Sequence, residues 1–183
     1  MKQIIFLTGI LFLMLSCSSQ NSKNESMELK LPKIGMEFSQ FSTEFPEVVN
    51  NETNGNRQYG YETQIQGLDG GWAYDFKDNK LIWFMYNSYN DQINQANFDK
   101  YLEVTQSIIA EFKQKYGEPT ELEFENKTFI DPYIEHHWGY DVIKAVWRTP
   151  EMDFEISFDF MGGKGEYNFI FKMEFHESGY EYF

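Results

Sequence analysis

A single cysteine, Cys17, among 183 residues leaves the chain unable to form an intramolecular disulfide. Arginine is nearly as scarce, with only Arg57 and Arg148, and Asp and Glu outnumber Lys and Arg by 29 to 15. A net charge of −14 repels polyphosphate, so nucleic acid is not an expected partner, while a cationic partner stays open. No apolar run reaches the ~20 residues that carry a helix across a bilayer. Also missing are the Gly-x-Ser-x-Gly nucleophile elbow and any Ser, His and Asp arrangement of a hydrolase.

What is present begins with an address. Lys2 is followed by an apolar stretch, Ile4 to Phe6 and Leu11 to Leu15 at its core, which stops at Ser16-Cys17. That is the length and polarity of a signal-peptide h-region. Met14-Leu15-Ser16-Cys17 resembles a bacterial lipobox, with Met where Leu is usual. A thioether to diacylglycerol would also account for a lone thiol on an exported chain. Residues 1–16 are thus expected to be cleaved, and residues 17–28 to form a lipidated Cys17 and a flexible polar tether. Ser18 follows the cysteine, with no Asp to favour inner-membrane retention, so the expected location is the outer membrane of a bacterial envelope.

Cleavage would leave 167 residues, and loss of Lys2 would take the net charge to −15, enough chain for one α+β domain over 29–183. Aromatics make up 19% of the sequence, which favours sheet. Residues 98–116 place Phe98, Tyr101, Leu102, Thr105, Ile108, Ile109, Phe112 and Tyr116 on one helical stripe, closed by Gly117 and Pro119. Two period-two runs follow: Met152, Phe154, Ile156, Phe158 and Phe160, then Tyr167, Phe169, Phe171, Met173 and Phe175. Pairing Phe160 with Tyr167 would set Glu155 opposite Lys172. Upstream, pairing Thr149 with Met152 sets Trp147 against Phe154 and Arg148 against Asp153, so core faces and charges agree.

The first half reads similarly. Met36, Phe38, Phe41 and Phe45 predict a short helix ending near Pro46, and residues 50–57 a polar loop. Tyr59, Tyr61, Thr63 and Ile65 alternate before a turn at 67–71. Trp72, Tyr74 and Phe76 alternate toward Asp78-Asn79, and a strand follows over 81–89, with Tyr74 expected opposite Trp83. The expected fold is therefore α+β: two α-β-β-β repeats, 34–89 and 98–176, about 65 residues apart, forming antiparallel sheet packed against helices.

Ile34-Gly35-Met36 opens a short helix, Lys115-Tyr116-Gly117-Glu118-Pro119 closes one, and Trp72 to Leu81 forms a hairpin. In these segments the chain resembles the small α+β repeats of β-lactamase-inhibitor-like proteins and of SmpA/OmlA-type outer-membrane lipoproteins. The second repeat lacks the Gly-Met opening and the first lacks the Gly-x-Pro close. The resemblance implies binding of another protein without catalysis, and it carries over no catalytic residue.

Candidate chemistry is sparse. His136 and His137, with Asp131 and Glu135 nearby, are the first metal or acid–base candidates, but on an extended segment neighbouring side chains point to opposite faces. Gly162-Gly163-Lys164-Gly165 is followed by Glu166 and a strand, which is hairpin rather than phosphate-loop context. The segment from Asp75 to Asn79 lacks the alternating ligands of a calcium loop. Glu123/Glu125 and Asp153/Glu155 each share a strand face, as solvated carboxylates do. No metal or cofactor is expected. Residues 81–86 are apolar on both faces, which is consistent with a strand covered on both sides or with Ile82, Phe84 and Tyr86 forming an exposed patch for a partner.

Two functional readings follow. The first is a non-enzymatic, membrane-anchored protein-binding module, an envelope assembly factor or an inhibitor or immunity type, held by lipid on Cys17. The alternative is a small ligand-binding or hydrolytic envelope protein using the His136/His137 region.

Overall fold

Phe41 is the residue from which the first helix is understood. α1, Phe38–Glu44, is seven residues long and stops at Phe45, which leaves helical geometry ahead of Pro46. Its Phe41 packs edge-on against Tyr74 and Phe76, so a helix too short to stand alone is fixed by aromatic contact. The computed structural model describes residues 29–53, 56–124, 128–129, 139–163 and 166–179. The expected lipidation site Cys17 and the tether lie outside these.

Four strands follow α1: β1 (Val49–Thr53), β2 (Asn56–Ile65), β3 (Leu68–Lys77) and β4 (Lys80–Asn90). Then come α2 (Gln95–Tyr116) and four more strands: β5 (Glu121–Glu123), β6 (Gly139–Arg148), β7 (Met152–Gly163) and β8 (Glu166–Glu177). All pair antiparallel in one sheet of order β1-β2-β3-β4-β8-β7-β6-β5. The fold is α+β, as expected, but each helix precedes four strands rather than three. The segment read as a polar loop at 50–57 supplies β1 and the start of β2. Corresponding strands are also further apart than expected: β4 begins at Lys80 and β8 at Glu166, 86 positions on.

Local chemistry sets the turns. Gln66-Gly67 and Asp78-Asn79 each have two consecutive positive φ values, the two-residue hairpin geometry that matches strand twist. The first of these turns is tighter than the turn expected over 67–71, and Leu68 already pairs with Ile65. α2 starts one turn earlier than its apolar stripe, because Asn94 caps it by accepting from the Asn97 N–H at 3.0 Å. It ends at Gly117, φ 84°, with Lys113 and Lys115 in the last turn.

Both helices lie on one face of the sheet. Phe112 of α2 meets Phe154 and Phe175, Phe175 stacks on Phe84 at 4.4 Å, and Phe84 pairs with Tyr74 beneath α1. The core is continuous across the β4–β8 junction. α2 also reaches the first half through the Tyr101–Ser88 hydroxyl pair at 2.8 Å and Lys100 Nζ, which donates to the Gly67 carbonyl at 2.6 Å.

The β6–β7 register is the expected one, with Trp147 opposite Phe154 and Arg148 opposite Asp153. The β7–β8 register is shifted by two residues from the expected one: Phe160 pairs with Phe169, and Glu155 with Glu174. A slip of two keeps every side chain on its face. Phe154, Ile156, Phe158, Phe160, Phe169, Phe171, Met173 and Phe175 are accordingly all core.

β4 departs more sharply. Phe76 pairs with Leu81, as expected, but Asp75 pairs with Trp83 and Tyr74 with Phe84, so Ile82 is the extra residue of a β-bulge. The bulge inverts the alternation beyond it. Trp83, Met85 and Asn87 turn to the helix-free face, while Phe84 and Tyr86 go into the core at 1% and 0% exposure. The expected partner patch of Ile82, Phe84 and Tyr86 is therefore corrected: two of the three are interior. The half-buried Ile82 lines a cleft of about 320 Å³ with Ile34, Gly35 and Lys80.

Candidate functional site

Among the described residues no helix covers the second face of the sheet. Strand pairing arranges its side chains in rows. One row runs Trp83, His176, Asp153, Arg148 across β4, β8, β7 and β6. The next runs Met85, Glu174, Glu155, Val146, then Glu121 of β5. A third runs Asn87, Lys172, Ser157, Lys144 and Glu123, and a fourth Tyr89, Ile170, Asp159 and Asp141. Toward β3 and β2 the face continues through Asp75, Ala73, Gly71 and Glu62.

The centre is a connected ionic network. Glu155 takes Lys172 at 2.9 Å and Lys144 at 3.2 Å, and Lys172 also reaches Glu174 at 3.2 Å. The Trp83 indole N–H donates to Glu174 Oε1 at 2.8 Å, tying β4 to the network. Burial pushes the Glu155 carboxyl up, but hydrogen bonds and charge from Lys172 and Lys144 outweigh it and hold Glu155 below the usual range. Burial lowers the Lys172 ammonium, and Glu155 and Glu174 more than offset it, so Lys172 is raised. The two-residue slip of β8 left the expected Glu155–Lys172 attraction intact, made along the diagonal instead of directly across.

Away from the centre the carboxyls are less well matched. Asp159 faces Asp141 directly, and its carboxyl is raised from 3.8 to about 6. Burial is the main cause. Ser157, whose hydroxyl donates to Asp159 Oδ2 at 3.1 Å, opposes it, and the Asp141 charge adds to it. Asp153 is 9% exposed, and its Oδ1 is buried and accepts no hydrogen bond. Its neighbour Arg148 has turned the other way, donating to Glu121 Oε1 at 2.6 Å. Counting Glu62, Asp75, Glu121, Glu123, Asp141, Asp153, Glu155, Asp159 and Glu174 against Lys144, Lys172 and Arg148, these rows carry an excess of six negative charges.

Of the residues singled out in the sequence, Asp153 and Glu155 share this face, as expected from their spacing. Glu123 lies on β5 and is exposed. His136 and His137, with Asp131, Glu135 and Glu125, fall outside the described residues. His176 stands in the Trp83–Asp153 row, its Nδ1 3.3 Å from the Glu177 carbonyl oxygen. Among the described residues no group of three His, Cys, Asp or Glu side chains is placed to hold a metal ion. No helix among them is long and apolar enough to cross a membrane.

The sequence reading missed Trp83, Glu174, Lys172 and Lys144 as a unit. The signal was present in the lysines: Lys144 and Lys172 both alternate in phase with Glu155 once the hairpins are registered. Comparison with protein-family models, with curated proteins and with solved structures finds no match for the chain.

Proposed function

We propose that the protein is a lipid-anchored, non-enzymatic binding module of the bacterial envelope that docks another protein on its helix-free sheet face. The observation that carries the reading is the preorganised polar network on that face. Lys144, Glu155, Lys172, Glu174 and Trp83 are fixed by mutual contacts at 2.8–3.2 Å, on a surface whose opposite side holds the aromatic core. Side chains already locked in place lose little entropy on association, which is what a recognition surface needs. Lipid on Cys17 followed by the polar segment 18–28 would hold this module at a membrane surface.

The same reading takes the domain as a duplicated unit. Helix followed by four strands occurs twice, and the strand order β1-β2-β3-β4 is mirrored by β5-β6-β7-β8 about the β4–β8 junction. Such an arrangement makes one wide face out of two units that are each too small to enclose a core.

The test is site-specific photocrosslinking in cells. A photoreactive residue at Met85 or Asn87, on the open face, is expected to capture a discrete partner, and the same residue at Gln106, exposed on α2, is not. Capture from Gln106 alone would overturn the assignment of the face.

A further inference from the structure

We infer that the Asp153 row of the open face receives an arginine side chain from a basic partner protein. This rests on the docking role proposed above and adds the chemistry of the partner. The starting observation is Asp153 Oδ1, a buried carboxyl oxygen with no donor, in a side chain 9% exposed. Buried polar atoms are paired in the great majority of native structures, so one that is not calls for a cause. Alternation places this side chain on the helix-free face, because its neighbour Phe154 points into the core.

What would satisfy the oxygen is an N–H donor. Arg148, directly across on β6, is committed to Glu121 at 2.6 Å. A metal ion would need several convergent ligands, and no group of three such side chains is placed for one among the described residues. An outside donor reaches this oxygen by parting the side chains that now close over it, and the charge excess of the face selects a cationic one.

Guanidinium suits the row better than ammonium. It donates in a planar fork and stacks on aromatic rings as well. The residues following Asp153 along its row are His176 and then Trp83, at strand spacings of about 4.8 Å. An arginine reaching the carboxyl along that row would pass these two side chains. The Trp83 indole N–H, held by Glu174, is already directed away from it.

The experiment uses the purified full chain in mild detergent and a tetra-arginine peptide with blocked ends, followed by calorimetric titration at low salt. Tetra-lysine and tetra-citrulline peptides serve as comparisons. Arginine is expected to bind more tightly than lysine, and citrulline not measurably. Asp153→Asn is expected to weaken arginine binding roughly ten-fold, the scale of one hydrogen bond to a charged group. Glu62→Gln, which removes an equal charge from the same face outside the row, should leave it within about two-fold. Asp153→Ser provides a second variant if the Asn form folds poorly, as judged by its melting curve. Equal losses from Asp153→Asn and Glu62→Gln, or equal binding of arginine and lysine peptides, would mean diffuse charge attraction and overturn the inference. Crosslinking from Met85 to a partner with no arginine at the contact would also overturn it while leaving the docking role intact.

Discussion

Asp159 faces a second carboxyl, Asp141, across β6 and β7, and is mostly removed from water. Its carboxyl is raised from 3.8 to about 6, so in this range the folded state binds the proton more tightly than the unfolded chain. The stability this group contributes is full below about pH 4 and is lost as pH rises through about 6. Asp159→Asn keeps an acceptor for Ser157 but removes the charge. At pH 7.5 it should raise the melting midpoint by roughly 5 °C, or about 2 kcal/mol, and the gain should vanish by pH 4. Thermal melts of both proteins between pH 4 and 8 check it, and a constant difference would contradict it. Glu155 works in the opposite sense. Held low by two lysines, it supports the fold at neutral pH and loses that support as pH falls through its folded value.

Phe84 belongs to the same scale. It is enclosed by Trp72, Tyr74 and Phe175, and Phe84→Ser should cost ~3 kcal/mol or more, a large fall in a denaturant midpoint. A surface position would tolerate the change.

At the scale of elements, the bulge at Ile82 decides which side of β4 faces in. With Ile82 removed, Leu81, Trp83 and Phe84 would alternate regularly against Phe76, Asp75 and Tyr74, so that deletion should fold with native circular dichroism. Deleting Met85 instead would turn Tyr86 and Ser88 outward and should abolish the fold. If both deletions behave alike, the bulge does not have this role. The bulge was illegible in the sequence for a physical reason. Residues 81–86 are apolar throughout, so no polar residue marks the phase of the pleat. Where polar residues do mark it, on β6, β7 and β8, the faces were readable, and the Arg148–Asp153 register was too. The two-residue error at the β7–β8 turn arose because three glycines among residues 161–166 fit either a long or a short loop. The unpaired oxygen of Asp153 was beyond reach, since it depends on Arg148 choosing Glu121 of β5, and the alternation of Glu121, Leu122 and Glu123 does not say which strand they pair with.

At the scale of the whole molecule, the core runs unbroken from α1 to β5's neighbour β6, through the stacked pair Phe84–Phe175. The two halves are expected to melt together. Tryptophan fluorescence and far-ultraviolet circular dichroism should give coincident single transitions, whereas two separated transitions would show the halves to be independent. The anchor is tested separately. Cys17→Ser should shift the chain from the membrane fraction to the soluble one or leave an unprocessed precursor, and wild-type fractionation and mobility would refute lipidation.

The strand order has a temporal side as well. β8 is the last-made strand among the described residues and sits at the sheet's centre, between β4 and β7. Tyr86 must wait for Met173, 87 positions later in synthesis, before its strand is enclosed. Until then β4 has a bare hydrogen-bonding edge and several uncovered aromatic rings, a species prone to self-association and slow to close. Such a chain stays open until synthesis is nearly done, and a holding chaperone bound to the first ninety residues is expected to lessen its self-association.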